Sequence, residues 1–131
     1  MANISREFSM NHKLTVYINN EPVIEYDRNK PLPGKQRQYL DKMDSDMEQG
    51  FQLGDERIET PDNKDKAKYV AMTLIQSIEA DNEPMIVATC AYLASREASL
   101  TEVRAVAEGE NMMMDLIYDQ GAEVAFSKTL N

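Results

Sequence analysis

ENMMMDLIYDQG, residues 110–121, decides the fold because it satisfies two periods at once. Met112, Met114, Leu116 and Tyr118 alternate as one face of a strand does, while Met113, Leu116 and Ile117 fit the spacing of a helix. Gly109 and Gly121 bracket the stretch and break regular structure, which favours the strand. Neighbouring side chains of a strand leave opposite faces. At least one of Met112, Met113 and Met114 then points away from the main core unless both faces are covered. Flexible thioethers fill irregular cores and also line adaptable binding surfaces, so an outward methionine invites a partner or a second subunit.

Working outward, residues 122–131, AEVAFSKTLN, either return beside this strand or trail off. Upstream, SLTE at residues 99–102 fits a capping box and predicts a short helix through Val103, Val106 and Ala107, ended by Gly109. Residues 83–98 are apolar nearly all round from Met85 to Ala94, the mark of a helix at the centre of a domain. The preceding stretch carries the best helix signal in the chain: Thr60 as cap, Pro61 in the first turn, Asp62 and Asp65 at the positive end of the dipole. Ala67, Val70, Ala71, Leu74, Ile75 and Ile78 then repeat at helical spacing. Leu40, Met43, Met47 and Phe51 form the stripe of an earlier helix that starts near Pro33 and is ended by Gly50 and Gly54. Two β-prone runs, residues 14–18 and 23–26, flank Asn19 and Asn20, a pair that tolerates the positive φ of a hairpin turn. Pro22 lacks an amide donor and marks an edge strand or a longer turn.

The fold expected from these elements is α+β. About four helices form the core, joined by a short antiparallel sheet made of the N-terminal hairpin and a C-terminal strand pair. An all-α chain with an N-terminal hairpin is the alternative. Residues 1–12, without period, are expected to be a mobile tail, residues 13–127 one globular domain, and residues 128–131 a C-terminal end.

Composition narrows the function. At 42% hydrophobic and 28% charged, the 131 residues can bury a core without metals or disulfides. The single cysteine, Cys90, and a start without a signal-peptide core indicate a cytoplasmic setting. The longest apolar run, residues 84–94, is too short to cross a bilayer. A net charge of −9 opposes direct binding of nucleic acid, whose phosphates draw Lys and Arg.

Catalytic groups are scarce. His12 is the only histidine and falls in the expected tail, which argues against Ser-His and Cys-His arrangements and excludes paired Glu-x-x-His motifs within one chain. Cys90 lies among apolar neighbours that make a thiol inert, and no phosphate-cradling glycine motif is present. DSDMEQG, residues 44–50, places Asp44, Asp46 and Glu48 like the first ligands of a calcium loop. The required glycine comes one residue late and Asp55 stands where a bidentate Glu belongs, so the stretch reads as the wet side of a helix. Residues 55–65 pack five carboxylates, a magnesium-type cluster that also suits a helix start. VATCAYLASREASLTEVRAVAE has the outline of a helix-turn-helix, but its second half offers Arg104 among acids, which does not read bases.

Charge is unevenly placed. Residues 1–42 balance at +2 and residues 43–131 at −11. Arg28, Lys30, Lys35 and Arg37, with Lys42, make a local basic segment, whereas residues 97–123 carry seven acids and only Arg104. The sequence therefore reads as a non-enzymatic interaction or regulatory protein without a cofactor or metal, acting by surface complementarity. Its interaction residues would be Met112, Met113, Met114, Arg28, Lys30, Lys35 and Arg37, and its partner a protein with a basic or amphipathic surface, or a second copy in a homodimer. The alternatives are an acidic mimic of nucleic acid, which needs the acids of residues 97–123 along one face, and a protein binding calcium or magnesium through carboxylates.

Overall fold

Asn19 and Asn20 turn the chain with φ of 52° and 71°, the left-handed pair that a two-residue hairpin requires. This turn joins strand β1, Lys13–Ile18, to β2, Glu21–Asp27. In the computed structural model, which describes residues 13–119 and 122–129, three helices and five further strands follow. The helices are α1 (Gly34–Met47), α2 (Asn63–Glu79) and α3 (Glu83–Arg96). A small hairpin of β3 (Phe51–Leu53) and β4 (Glu56–Ile58) separates α1 from α2. Strands β5 (Leu100–Glu108), β6 (Asn111–Tyr118) and β7 (Glu123–Thr129) end the chain. The tail expected over residues 1–12 lies outside the described residues.

The chain forms two compact units. One is Pro31–Arg96; the other unites the flanking segments, residues 13–30 and 97 onward. In the second, the strands order as β2-β1-β5-β6-β7, with β1 and β5 parallel and every other neighbouring pair antiparallel. One face of the sheet is a core: Leu14, Val16, Leu100, Val103, Ala105, Met112, Met114, Leu116 and Tyr118 are all buried. In the helical unit the core comes from Leu40 and Met47 of α1, Val70, Ala71, Leu74 and Ile75 of α2, and Cys90, Ala91 and Leu93 of α3.

The architecture is α+β but differs from the expected one in three places. There are three helices among the described residues, not four, and the short antiparallel sheet is a five-stranded mixed one; the all-α alternative falls with it. The predicted helix after residue 99 is strand β5. Glu102, read as the third helical position of a capping box, instead accepts a hydrogen bond from Nε of Arg104 at 2.7 Å, and in a strand residues two apart stand on one face. The β-branched Thr101, Val103 and Val106 and the Gly109 turn (φ 62°) carry the strand. Finally, α1 stops at Met47, and Phe51 opens β3. Phe51 is buried because the β3–β4 hairpin carries its ring onto Tyr69, with centroids 4.4 Å apart. A fourth stripe position and a strand residue after a turn look alike in sequence. Similarly, α2 is capped by Asp62 in a reciprocal box with Asp65 (2.8 and 3.1 Å), two residues beyond Thr60.

Gly50 is the position that lets α1 end and β3 begin. Its φ is +91°, and a Cβ there would stand 2.7 Å from the carbonyl oxygen of Ile58 and 3.3 Å from that of Glu59. Both are backbone atoms that cannot swing aside. Gly50→Ala is expected to lower the unfolding free energy by about 1–2 kcal/mol through strain at positive φ and this clash. Urea denaturation of the two proteins side by side checks it; an unchanged midpoint would remove the turn from the features that hold the hairpin.

Candidate interaction surfaces

Alternation along the strands of the sheet unit turns Lys13, Thr15 and Tyr17 of β1, Glu102, Arg104, Val106 and Glu108 of β5, and Met113, Asp115 and Ile117 of β6 to the face opposite the core. Register aligns them in rows. Tyr17 lies beside Arg104 and Arg104 beside Asp115, while Val106 lies beside Met113. The Arg104 guanidinium sits 4.0 Å from the centre of the Tyr17 ring and is also held by Glu102, so its charge is spent within the sheet. Lys13 likewise pairs with Glu25 at 3.4 Å. What remains apolar is the Val106–Met113 pair, with Arg104 covering Tyr17 and Asp115 standing between Met113 and Ile117. Met113, 39% exposed, is the more open of the pair. Asp115 flanks Met113 along β6 and Glu108 flanks Val106 along β5. Glu25 and Asp27 of β2 and Glu123 of β7 fall on the same face by register.

The predicted methionines are therefore divided. Met112 and Met114 are core, and Met113 alone looks outward. Of the predicted basic residues, Arg28 is turned to its own unit. Its Nη2 donates to the carbonyl of Glu97 at 2.8 Å, and burial lowers its pKa against the raising influence of Asp119. The Glu97 carboxylate is itself buried and accepts from the Tyr118 hydroxyl at 2.7 Å. The acids of residues 97–123 do not make an unbroken track: Glu97 is buried, Arg104 and Val106 separate Glu102 from Glu108, and Asp115 alternates with Met113 and Ile117. A mimic of regularly spaced phosphates needs such a track, which the described acids of residues 97–123 do not form.

In the helical unit, α1 and the start of α3 leave an open groove of about 460 Å³ walled by Tyr39, Leu40, Pro84, Met85, Val87 and Ala88. Lys35, Gln36 and Asn82 are its polar members. A second hollow of about 220 Å³ shares Tyr39 and Met85 with it and continues along Met43, Met47, Tyr69 and Val70. Tyr39 and Val87 are 41% and 44% exposed, among the most open large apolar side chains of the described residues. The groove did not show in the sequence: Tyr39 is one position before the buried Leu40 of the α1 stripe, and α3 is apolar nearly all round, so nothing marked which of its sides would be left uncovered. Lys35 is exposed and lines the groove, Arg37 is exposed and does not line it, and Lys30 is an exposed residue of the sheet unit.

A polar cluster ties the three helices of this unit. Asp44 of α1 accepts from the Tyr92 hydroxyl at 2.5 Å and from Nε of Arg96 at 2.9 Å, both on α3, and lies 3.8 Å from Nζ of Lys66 on α2. Burial alone would raise the Asp44 pKa. The Tyr92 and Arg96 hydrogen bonds and the positive charges of Arg96 and Lys66 outweigh it, and the carboxyl titrates below its ordinary range. Asp46 and Glu48 are exposed, so the three acids of DSDMEQG point apart along a helix and its cap rather than converging as in a calcium loop. No three His, Cys, Asp or Glu side chains come together as metal ligands among the described residues. Cys90 is buried in α3, and burial pushes its thiol up to about 12, so it is a packing residue. No helix of the described residues is long and apolar enough to cross a membrane. Comparison with known proteins returns no matching family model, no matching curated protein and no matching solved structure.

Proposed function

We propose that the protein is a non-catalytic interaction protein of the cytosol, whose outer sheet face receives a basic amphipathic segment of a partner protein. The observation that supports this reading is the Val106–Met113 pair lying between Asp115 and Glu108, with Tyr17 and Ile117 further along the same face, where the described cations Lys13 and Arg104 are already paired. An apolar centre supplies affinity once water leaves it, and the carboxylates of Asp115 and Glu108 at its sides select lysine or arginine and speed encounter. Met113 adds adaptability, since an unbranched thioether adopts many shapes at low cost.

The test uses an amphipathic peptide of about four turns, with leucines on one side and lysines on the other, titrated into the isotope-labelled protein. Amide shifts are expected at Val106, Met113 and Asp115. Asp115→Lys is expected to weaken binding about tenfold, the equivalent of ~1.4 kcal/mol, and high salt to do the same. Binding unaltered by Asp115→Lys, or shifts confined to other residues, would defeat the reading. Salt-sensitive self-association of the unmixed protein in light scattering would instead make the partner a second copy.

A further inference from the structure

From the groove of the helical unit we infer a second, independent docking site, which takes an amphipathic helix carrying a carboxylate beside its apolar face. The walls supply the first half of this. Tyr39, Met85, Val87 and Ala88 are hydrocarbon surface in a groove formed by two helices, and the hollow between α1 and α2 continues it past Met43. A groove of this kind is filled by side chains spaced three and four residues apart on one side of a helix. Of its lining, Leu40 and Ala91 are buried in the unit's core, whereas Tyr39 and Val87 are exposed.

Charge supplies the second half. Asp46, which lines the far hollow, is already bonded to Lys42 at 2.9 Å. Lys35 is the remaining charged side chain of the walls, and it forms no ion pair among the described residues. It stands in the first turn of α1, a turn with no acidic residue and no side-chain cap, so the positive end of that helix adds to its field. A ligand carboxylate placed there meets both, whereas a ligand lysine meets repulsion. The occupant is accordingly acidic at the Lys35 end, opposite in sign to the segment proposed for the sheet face.

Three labelled helical peptides with one leucine face, ending in glutamates, glutamines or lysines, are titrated by fluorescence anisotropy into the full chain and into Val87→Asp, Lys35→Glu and Asp115→Lys. Val87 and Lys35 are exposed, so both substitutions leave the fold intact, as a matching thermal melt verifies. The glutamate peptide is expected to bind wild type most tightly, to lose at least about tenfold on Val87→Asp, and to be unaffected by Asp115→Lys. Lys35→Glu is expected to reverse the preference toward the lysine peptide. Equal binding of the three peptides, indifference to Val87→Asp, or no binding by any of them overturns the inference. Loss on Asp115→Lys would overturn it too, by assigning the peptide to the sheet face.

Discussion

Leu116→Ala is expected to lower the unfolding free energy by about 3 kcal/mol, within the ~2–5 kcal/mol that removing a buried leucine side chain costs. Leu116 is fully buried in β6, with Val103 of β5 and Val124 of β7 as its register partners. Met114 and Tyr118, its same-face neighbours along the strand, are also buried. A leucine flanked on four sides leaves a cavity that branched valines cannot fill by changing rotamer. Met114 can swing partly into it, which places the expectation in the middle of the range rather than at its top. The companion substitution, Met113→Ala, removes a side chain 39% exposed on the opposite face and is expected to change stability by no more than about 0.5 kcal/mol. Urea denaturation followed by circular dichroism measures both. If residues 111–118 were helical, Met113, Leu116 and Ile117 would share a face and the two substitutions would cost alike. Similar losses would therefore contradict the strand.

The alternation at Met112, Met114, Leu116 and Tyr118 was legible because those four residues are apolar and all point inward. The turn at Asn19 and Asn20 was legible because few residues accept positive φ, so identity and geometry coincide. Residues 99–107 misled because SLTE has the form of a capping box and Val103, Val106 and Ala107 fit a helical spacing, yet in the strand Val103 is buried in the core face while Val106 faces out. What selected the strand was pairing with β1 and β6, residues 15–18 and 111–118, which no local window contains. The surfaces followed the same rule. That one of three methionines must face outward came from the pleat alone, and the pleat also made it Met113 once register was set. The Tyr39–Val87 groove depends on how α1 and α3 meet, and Arg28, legible only as a cation, was claimed by a main-chain carbonyl 69 positions away.

Asp44→Ala is expected to cost about 2 kcal/mol, and the stretch that sequence reads as a helix's wet side is where it acts. Asp46 and Glu48 are indeed solvated, but the Asp44 side chain is only 26% exposed and takes hydrogen bonds from two residues of α3. Charge-assisted hydrogen bonds contribute about 1.5–3 kcal/mol, and removing the acceptor leaves the buried Tyr92 hydroxyl and the nearly buried Lys66 ammonium without it. Glu48, 3.5 Å from Lys66, and Asp41, 2.9 Å from Arg96, retain part of the charge balance, which keeps the cost below that of a fully buried pair. The lowered pKa of Asp44 fixes the direction with pH. The unfolded chain takes up its proton near the ordinary carboxylate value of about 4, before the folded chain does. The contribution of Asp44 is thus complete above that pH and is lost as the pH falls through the lower, folded value. Asp44→Asn preserves the shape and an acceptor for Tyr92 but carries no charge. It is expected to be less stable than wild type at pH 7 and to approach it in acid. Denaturation curves from neutral to acid pH compare the two, and a constant gap between them down to about pH 3 would mean that the charge on Asp44 does not hold α1 to α3.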